Sequence, residues 1–180
     1  MLLPGPARMS HPFPGFGNKR HGPEGYRLGN LPDMGSTYHD LHYHWVCATK
    51  LRRPFIRPEW RTRFHEYLGG TIRGLEGVSL KVGGVEDHVH ALFGLKTTHC
   101  LADFVRELKK ATSVWVSGQV ESSFAWQEGY AVFTVSASMR KTVGQYIDRQ
   151  EEHHRHKSLA EELALLLQRH GIQYDPRYFL

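Results

Sequence analysis

Cysteine is scarce: Cys47 and Cys100 are the only two, far apart and in no C-x-x-C pairing. Neither a disulfide framework nor a thiolate zinc site is supported, and a reducing cytoplasm is the expected compartment. Long apolar runs are missing too. No stretch approaches the roughly 18 residues a spanning helix requires, and the N-terminus breaks into Pro4-Gly5-Pro6 before a signal-peptide core could form. A soluble chain with no membrane partner is expected. Acidic residues are in the minority, and the net charge of +5 favours a polyanionic partner, because a cationic surface gains affinity by releasing counterions condensed on nucleic acid. No internal repeat is visible. An apolar share of 40% in 180 residues suits one domain with a full-sized core plus a tail.

Glycine and proline are concentrated at one end: 13 of the 27 fall in the first 35 residues, which carry no hydrophobic period. Residues 1–35 are therefore expected to be a poorly ordered, partly basic extension, with Lys19, Arg20 and Arg27, and residues 36–180 the folded domain. From Thr37 the texture changes to strand period, with Leu41, Tyr43, Trp45 and Cys47 alternating with His42, His44, Val46 and Ala48. Pro58 suits the first turn of a helix to about Leu68, ended by Gly69-Gly70. Thr71–Val82 and Val85–Leu95 read as further strands, with Gly83-Gly84 a turn or bulge between them.

Leu101, Phe104, Val105, Leu108, Thr112, Trp115 and Val116 recur at helical spacing, and Tyr130–Val135 is a fourth short strand. Ser138 is placed to cap a helix carrying Met139, Val143, Tyr146, Ile147 and Gln150 on one side. Ser158 and Glu161 stand at capping-box spacing before a last helix that buries Leu159, Leu163, Leu166 and Leu167 and stops at Gly171. The order β-α-β-β-α-β-α-α predicts an α+β, ferredoxin-like antiparallel sheet of four to five strands, with helices on one face and additional C-terminal helices.

Three H-x-H triplets occur, and geometry separates them. Residues i and i+2 of a strand face the same side, whereas on a helix they diverge by about 160°. His154-Arg155-His156, at a helix end, reads as solvated basic surface unless the chain there is extended. His42-Tyr43-His44 lies in a strand, but no matching ligand is evident and packing is the simpler reading. In His88-Val89-His90 the small apolar Val89 can anchor the strand in the core while both imidazoles face away from it, preset for a divalent cation. The pair alone fits a hydrogen-bonded strand pair without metal equally well. Tyr146 and Gln150, one helical turn apart on an apolar stripe, add weight, since an unpaired buried amide costs on the order of 1–3 kcal/mol and an ion at the histidines would supply its partner. A tyrosine there can also simply fill core.

Taken in order, ATKLRRPFI, DHVHALF, LADFVRELKKATSVWV, FAWQEGYAVFTVS, QYIDRQEEHHRHKSLAEE and HGIQYDPRYF resemble the single-tyrosine transposases of small bacterial insertion sequences. The resemblance extends to their REP-associated relatives, within the IS200-like family of the HUH endonuclease superfamily. It covers about residues 37–180; the extension before it has no counterpart in the family core. It implies that His88, His90 and Gln150 are metal ligands for Mg²⁺ or Mn²⁺ and that Tyr146 is the nucleophile. It also implies a homodimer, in which the tyrosine helix can complete the partner's site, and a single-stranded or hairpin DNA substrate. Attack by Tyr146 would keep the phosphodiester energy as a 5′-phosphotyrosine.

DNA contacts are expected from Lys50, Arg52, Arg53, Arg57, Arg61 and Arg63, with Phe55 and Trp60 available to hold unstacked bases, and from a second patch of Arg106, Lys109 and Lys110. The competing reading is a non-catalytic hairpin-binding protein derived from a transposase.

Overall fold

In the computed structural model of the chain, residues 37–175 are described. The extension expected over residues 1–35 lies outside them, as do the last four residues of the HGIQYDPRYF block. Four strands, β1 (Leu41–Ala48), β2 (Val78–Gly84), β3 (His88–Leu95) and β4 (Ala131–Thr134), form an antiparallel sheet in the order β2-β3-β1-β4. The connections are α1 (Pro58–Gly74) between β1 and β2 and α2 (Leu101–Gln119) between β3 and β4. Three further helices follow, α3 (Arg140–Asp148), α4 (Gln150–His153) and α5 (Leu159–Arg169). The arrangement is α+β and ferredoxin-like, with four strands.

Strand alternation sorts the residues onto two buried faces. Trp45 and Cys47 of β1 and Val89, Ala91, Phe93 and Leu95 of β3 pack with Phe64, Leu68 and Ile72 of α1 and Val105 and Leu108 of α2. The opposite face carries Val46 and Ala48 beneath Leu159 and Leu167 of α5, and Leu92 beneath Ile147 of α3. Every residue of β3 is therefore buried. The histidines of β3 do turn away from the first core, as the alternation requires, but they enter a second enclosed layer.

Several element boundaries differ from expectation. Gly69-Gly70 does not end α1; a Cβ on the buried Gly69 would lie 3.2 Å from Ser79 Oγ, so this glycine lets the helix approach β2 closely. The helix stops five residues later, where Leu75 N donates to Thr71 O and Gly77 N to Ile72 O, and β2 starts at Val78 rather than Thr71. Ser138 caps nothing: it sits inside a 3₁₀ turn, Ala137–Met139, with its hydroxyl 3.1 Å from that of Ser136. Met139 is exposed, and the helix expected to run through Gln150 breaks at Arg149, so Tyr146 is on α3 and Gln150 begins α4. The Ser158–Glu161 capping box at the start of α5 is present in both directions.

Gly83 sets how close α3 lies to the sheet. A Cβ there would fall 2.6 Å from Ile147 O and 2.8 Å from Ile147 Cγ2, on the residue next to Tyr146. Gly83→Ala is expected to lower stability by about 1–3 kcal/mol through overpacking, read as a reduced urea midpoint, and to push α3 outward.

Candidate active site

The second face of the sheet brings His88 and His90 (β3), His44 (β1), Tyr146 (α3), Gln150 (α4) and Glu162 (α5) to one place. Each β3 histidine is oriented through its far nitrogen. His88 Nδ1 lies 2.6 Å from Asp87 Oδ1, and Asp87 Oδ2 in turn accepts from Arg52 Nε and Nη2, both at 3.3 Å. His90 Nδ1 lies 2.9 Å from His44 Nε2. In the tautomers that place a proton on each Nδ1, both Nε2 atoms present lone pairs to the same interior point.

That point is bounded by Gln150 Oε1, 3.4 Å from His88 Nε2, and by the Glu162 carboxylate, with Oε1 3.5 Å from His90 Nε2 and Oε2 3.9 Å from His88 Nε2. The Tyr146 hydroxyl donates to Glu162 Oε1. Gln150 Nε2 donates to the same oxygen at 3.0 Å, and His154 Nε2 lies 3.0 Å from Oε2. The Tyr146 ring stands edge-on to His44, His90 and His153. His90 Nε2 is buried without a hydrogen-bond partner among the described residues.

Burial dominates the electrostatics. It pushes the Glu162 carboxyl up to about 7, with His88 opposing and Asp87 adding to the rise. Burial, helped by His90 and His170, holds His44 down to about 3; burial and His88 hold His154 down to about 4. His65, buried beside Arg61, falls to about 4. Burial alone would raise Asp87, but its hydrogen bond to His88 and the nearby Arg52 bring it below the usual range.

These directions set a pH dependence. His44, His65 and His154 refuse protons that the unfolded chain takes up near pH 6.5, so their contribution to stability is full above that pH and is lost as pH falls. Glu162 acts oppositely, keeping a proton up to about pH 7 that the unfolded chain releases above about 4.5. Three histidines outweigh one carboxyl. In chelator, the urea midpoint is expected to fall as pH is lowered from 7 to 5; a midpoint that rises over that interval would contradict the assignment.

Tyr146, Gln150, His88 and His90, singled out in sequence, thus lie together, and within one chain. His154 does not behave as solvated surface. α4 ends at His153 and the chain turns, so His154 folds back beneath His88, ring centroids 4.4 Å apart, while His156 stays exposed. His44 is packed as expected, and it also orients His90. Glu162 went unread, although a signal was present: it falls among Leu159, Leu163 and Leu166 on the apolar stripe of α5, where a carboxylate is as anomalous as Gln150.

The expected DNA-contact residues divide. Lys50 and Arg53 are exposed, with no carboxylate in reach among the described residues; Arg57 is exposed but pairs with Glu121 at 3.2 Å. Arg63 lies 5.7 Å from the Trp115 ring centroid. Arg61 is buried, its guanidinium bound to Glu86 and, at 2.6 Å, to Glu151, which ties α1 to α4 instead of facing solvent. Arg52 is engaged with Asp87. Phe55 and Trp60 are not free to hold bases, because they pack in the core against Phe124 and against Phe64 and Trp115. On α2, Arg106 pairs with Asp103 and Glu107, Lys110 Nζ is 3.9 Å from Glu107, and Lys109 Nζ donates to the carbonyls of Gln127 and Gly129. A separate open cleft, unforeseen, borders Tyr146 with Arg149, His153, His156 and Lys157 along it.

Residues 37–150 match the family described as transposase IS200 like. The chain belongs to the IS200-like transposases, proteins of DNA transposition. It is 25% identical over 123 residues to the ISDra2 transposase TnpA of Deinococcus radiodurans, covering 63% of this chain and 86% of that protein. The crystal structure of a protein of D. radiodurans R1 described as a transposase superposes with a TM-score of 0.55 at 25% identity, over 67% of this chain and 98% of the other. A REP-associated tyrosine transposase solved bound to a REP hairpin shares the fold at 13% identity, TM-score 0.50, over 67% and 74% of the two chains. Among the described residues no helix is long and apolar enough to cross a membrane.

Proposed function

We propose that the protein nicks single-stranded DNA beside a hairpin and transfers the cut strand through a 5′-phosphotyrosine on Tyr146. The observation that carries this reading is that Tyr146 lines an open cleft bearing Arg149, His156 and Lys157 while its hydroxyl donates to Glu162 beside the buried His88, His90 and Gln150 set. In the step, the phenol oxygen gives up its proton and bonds to phosphorus, the bond to the 3′ oxygen breaks, and the departing 3′ oxygen takes up a proton to become the 3′-hydroxyl, so the proton count is unchanged. One ester replaces another, so the 3′-hydroxyl can later attack the phosphotyrosine and rejoin strands without an energy source. Tyr146 is positioned by its ring neighbours and by Glu162, as a phenol with an ordinary pKa near 10 requires. Arg149 and Lys157 would neutralise the phosphate as it enters.

His88, His90 and Gln150 would hold the Mg²⁺ or Mn²⁺ that such chemistry uses. The buried His90 Nε2, without a hydrogen-bond partner among the described residues, and the Gln150 oxygen beside His88 fit that role. When bound, the ion supplies polarisation of a non-bridging phosphate oxygen. Exposed Lys50, Arg53, Arg57 and Arg63, and Arg106 and Lys110 on α2, are proposed to grip the hairpin stem by its backbone. The hairpin-bound relative supports that partner. A homodimer acting in the cytoplasm completes the proposal, although one chain already supplies Tyr146, Gln150 and both histidines.

The test is to incubate the full chain with Mn²⁺ and 3′-labelled single-stranded DNA containing a hairpin from the flank of its own gene, and then denature. A labelled protein–DNA adduct that maps to Tyr146 is expected. Free 5′-phosphate products without adduct would point to hydrolysis by water. Hairpin binding with no cleavage in either Mg²⁺ or Mn²⁺ would establish the non-catalytic binder.

A further inference from the structure

We propose that Glu162 of α5 is itself a ligand of the divalent ion, making the site two imidazoles, an amide oxygen and a carboxylate. This rests on the metal site just proposed. It adds a residue 12 positions beyond the end of the family match at residue 150, so this ligand belongs to the C-terminal helix of this chain and not to the matched domain.

The geometry supports it first. Donor atoms of His88, His90, His154 and Glu162 all lie within 4.8 Å of one another. Two ligands each about 2.1–2.3 Å from one ion stand at most about 4.5 Å apart, so only small side-chain shifts separate this cluster from a coordination sphere. The second observation is independent of distance between acids: His90 Nε2 is fully buried, has no hydrogen-bond partner among the described residues, and faces Glu162 Oε1 at 3.5 Å. In the tautomer with Nδ1 donating to His44, and with the Glu162 carboxyl ionised as it is above about pH 7, that nitrogen offers a lone pair to a carboxylate oxygen, two acceptors with no proton between them. His88 Nε2 faces Oε2 in the same way once Asp87 takes its Nδ1 proton. A cation placed among them turns each of these repulsive pairs into a coordinated one.

Charge and hardness give the third reason. Two neutral imidazoles and an amide leave a buried ion at full double charge and favour nitrogen-seeking metals, whereas an anionic oxygen halves the net charge and suits Mg²⁺ and Mn²⁺. The carboxylate is also well anchored. α5 is held over the sheet by Leu159 and Leu167 against Val46, Ala48 and Phe133, and Gln150 Nε2 donates to Oε1 at 3.0 Å. Because Tyr146 donates to Glu162 Oε1, the same carboxylate links the ion's position to that of the nucleophile.

Mn²⁺ binding by the full chain, followed by electron paramagnetic resonance, tests the ligand without any turnover. Glu162→Gln, which preserves size and keeps one acceptor oxygen for Tyr146 and Gln150, is expected to weaken Mn²⁺ at least about tenfold while leaving Zn²⁺ affinity, read by competition, within a few-fold of the parent. His88→Ala is expected to weaken both ions. The rise in melting temperature on adding Mn²⁺, taken against each variant's own value in chelator, keeps the comparison valid if a variant is less stable. Glu162→Gln binding Mn²⁺ as the parent does, with His88→Ala failing to bind, overturns Glu162 and leaves the histidine site standing. A parent that binds no Mn²⁺ overturns both.

Discussion

Tyr146→Phe is expected to eliminate the covalent protein–DNA adduct and to reduce strand cleavage at least about a thousandfold, since phenylalanine offers no oxygen to take the phosphate as an ester. The substitution removes one oxygen and leaves the ring, so the edge-on contacts to His44, His90 and His153 remain. The lost hydrogen bond to Glu162 leaves that carboxylate with Gln150 and His154, and the expected stability change is only about 1 kcal/mol. Affinity for a labelled hairpin should be unchanged, because the cationic residues are untouched. Adduct on denaturing gels and hairpin binding by anisotropy separate the two effects. An adduct that persists in Tyr146→Phe would assign the nucleophile elsewhere.

His88→Ala is expected to bring nicking down to the level of the parent in chelator, at least about a hundredfold below the parent in Mn²⁺. His88 is the safer choice of the two histidines. Removing His90 would also strip His44 Nε2 of its partner in a fully enclosed layer, so lost activity could come from a disturbed β1–β3 pairing. With His88→Ala, Asp87 keeps Arg52, and the backbone bond from Thr49 N to Asp87 O holds the strand end. Hairpin affinity is the control that should not move. Undiminished cleavage by His88→Ala, or by the parent in chelator, would remove the ion from the mechanism.

Much of this site was legible in the chain because it depends on short-range periodicity. Alternation about Val89 places His88 and His90 on one side of a strand whatever surrounds it, and four-residue spacing brings Tyr146 and Gln150 to one side even though the helix breaks at Arg149. The capping box at Ser158 is equally local. Gly69-Gly70 misled for a different reason: glycine ends helices in general, but here it relieves contact with Ser79, a residue of another element. Arg61, Phe55 and Trp60 looked like a DNA surface in a basic run, and only their packing shows that they are interior.

The sequence by itself determined the element order, the strand that carries the two histidines, and the tyrosine–glutamine pair, because each follows from backbone periods of 2 and 3.6 residues. Tertiary structure alone decided that the second face of the sheet is enclosed, that His44 orients His90, and that Glu162 and His154 join the site. Those contacts link residues 8 to 74 positions apart across three elements and a turn, and such meetings are set by how helices dock on the sheet, which no local pattern specifies.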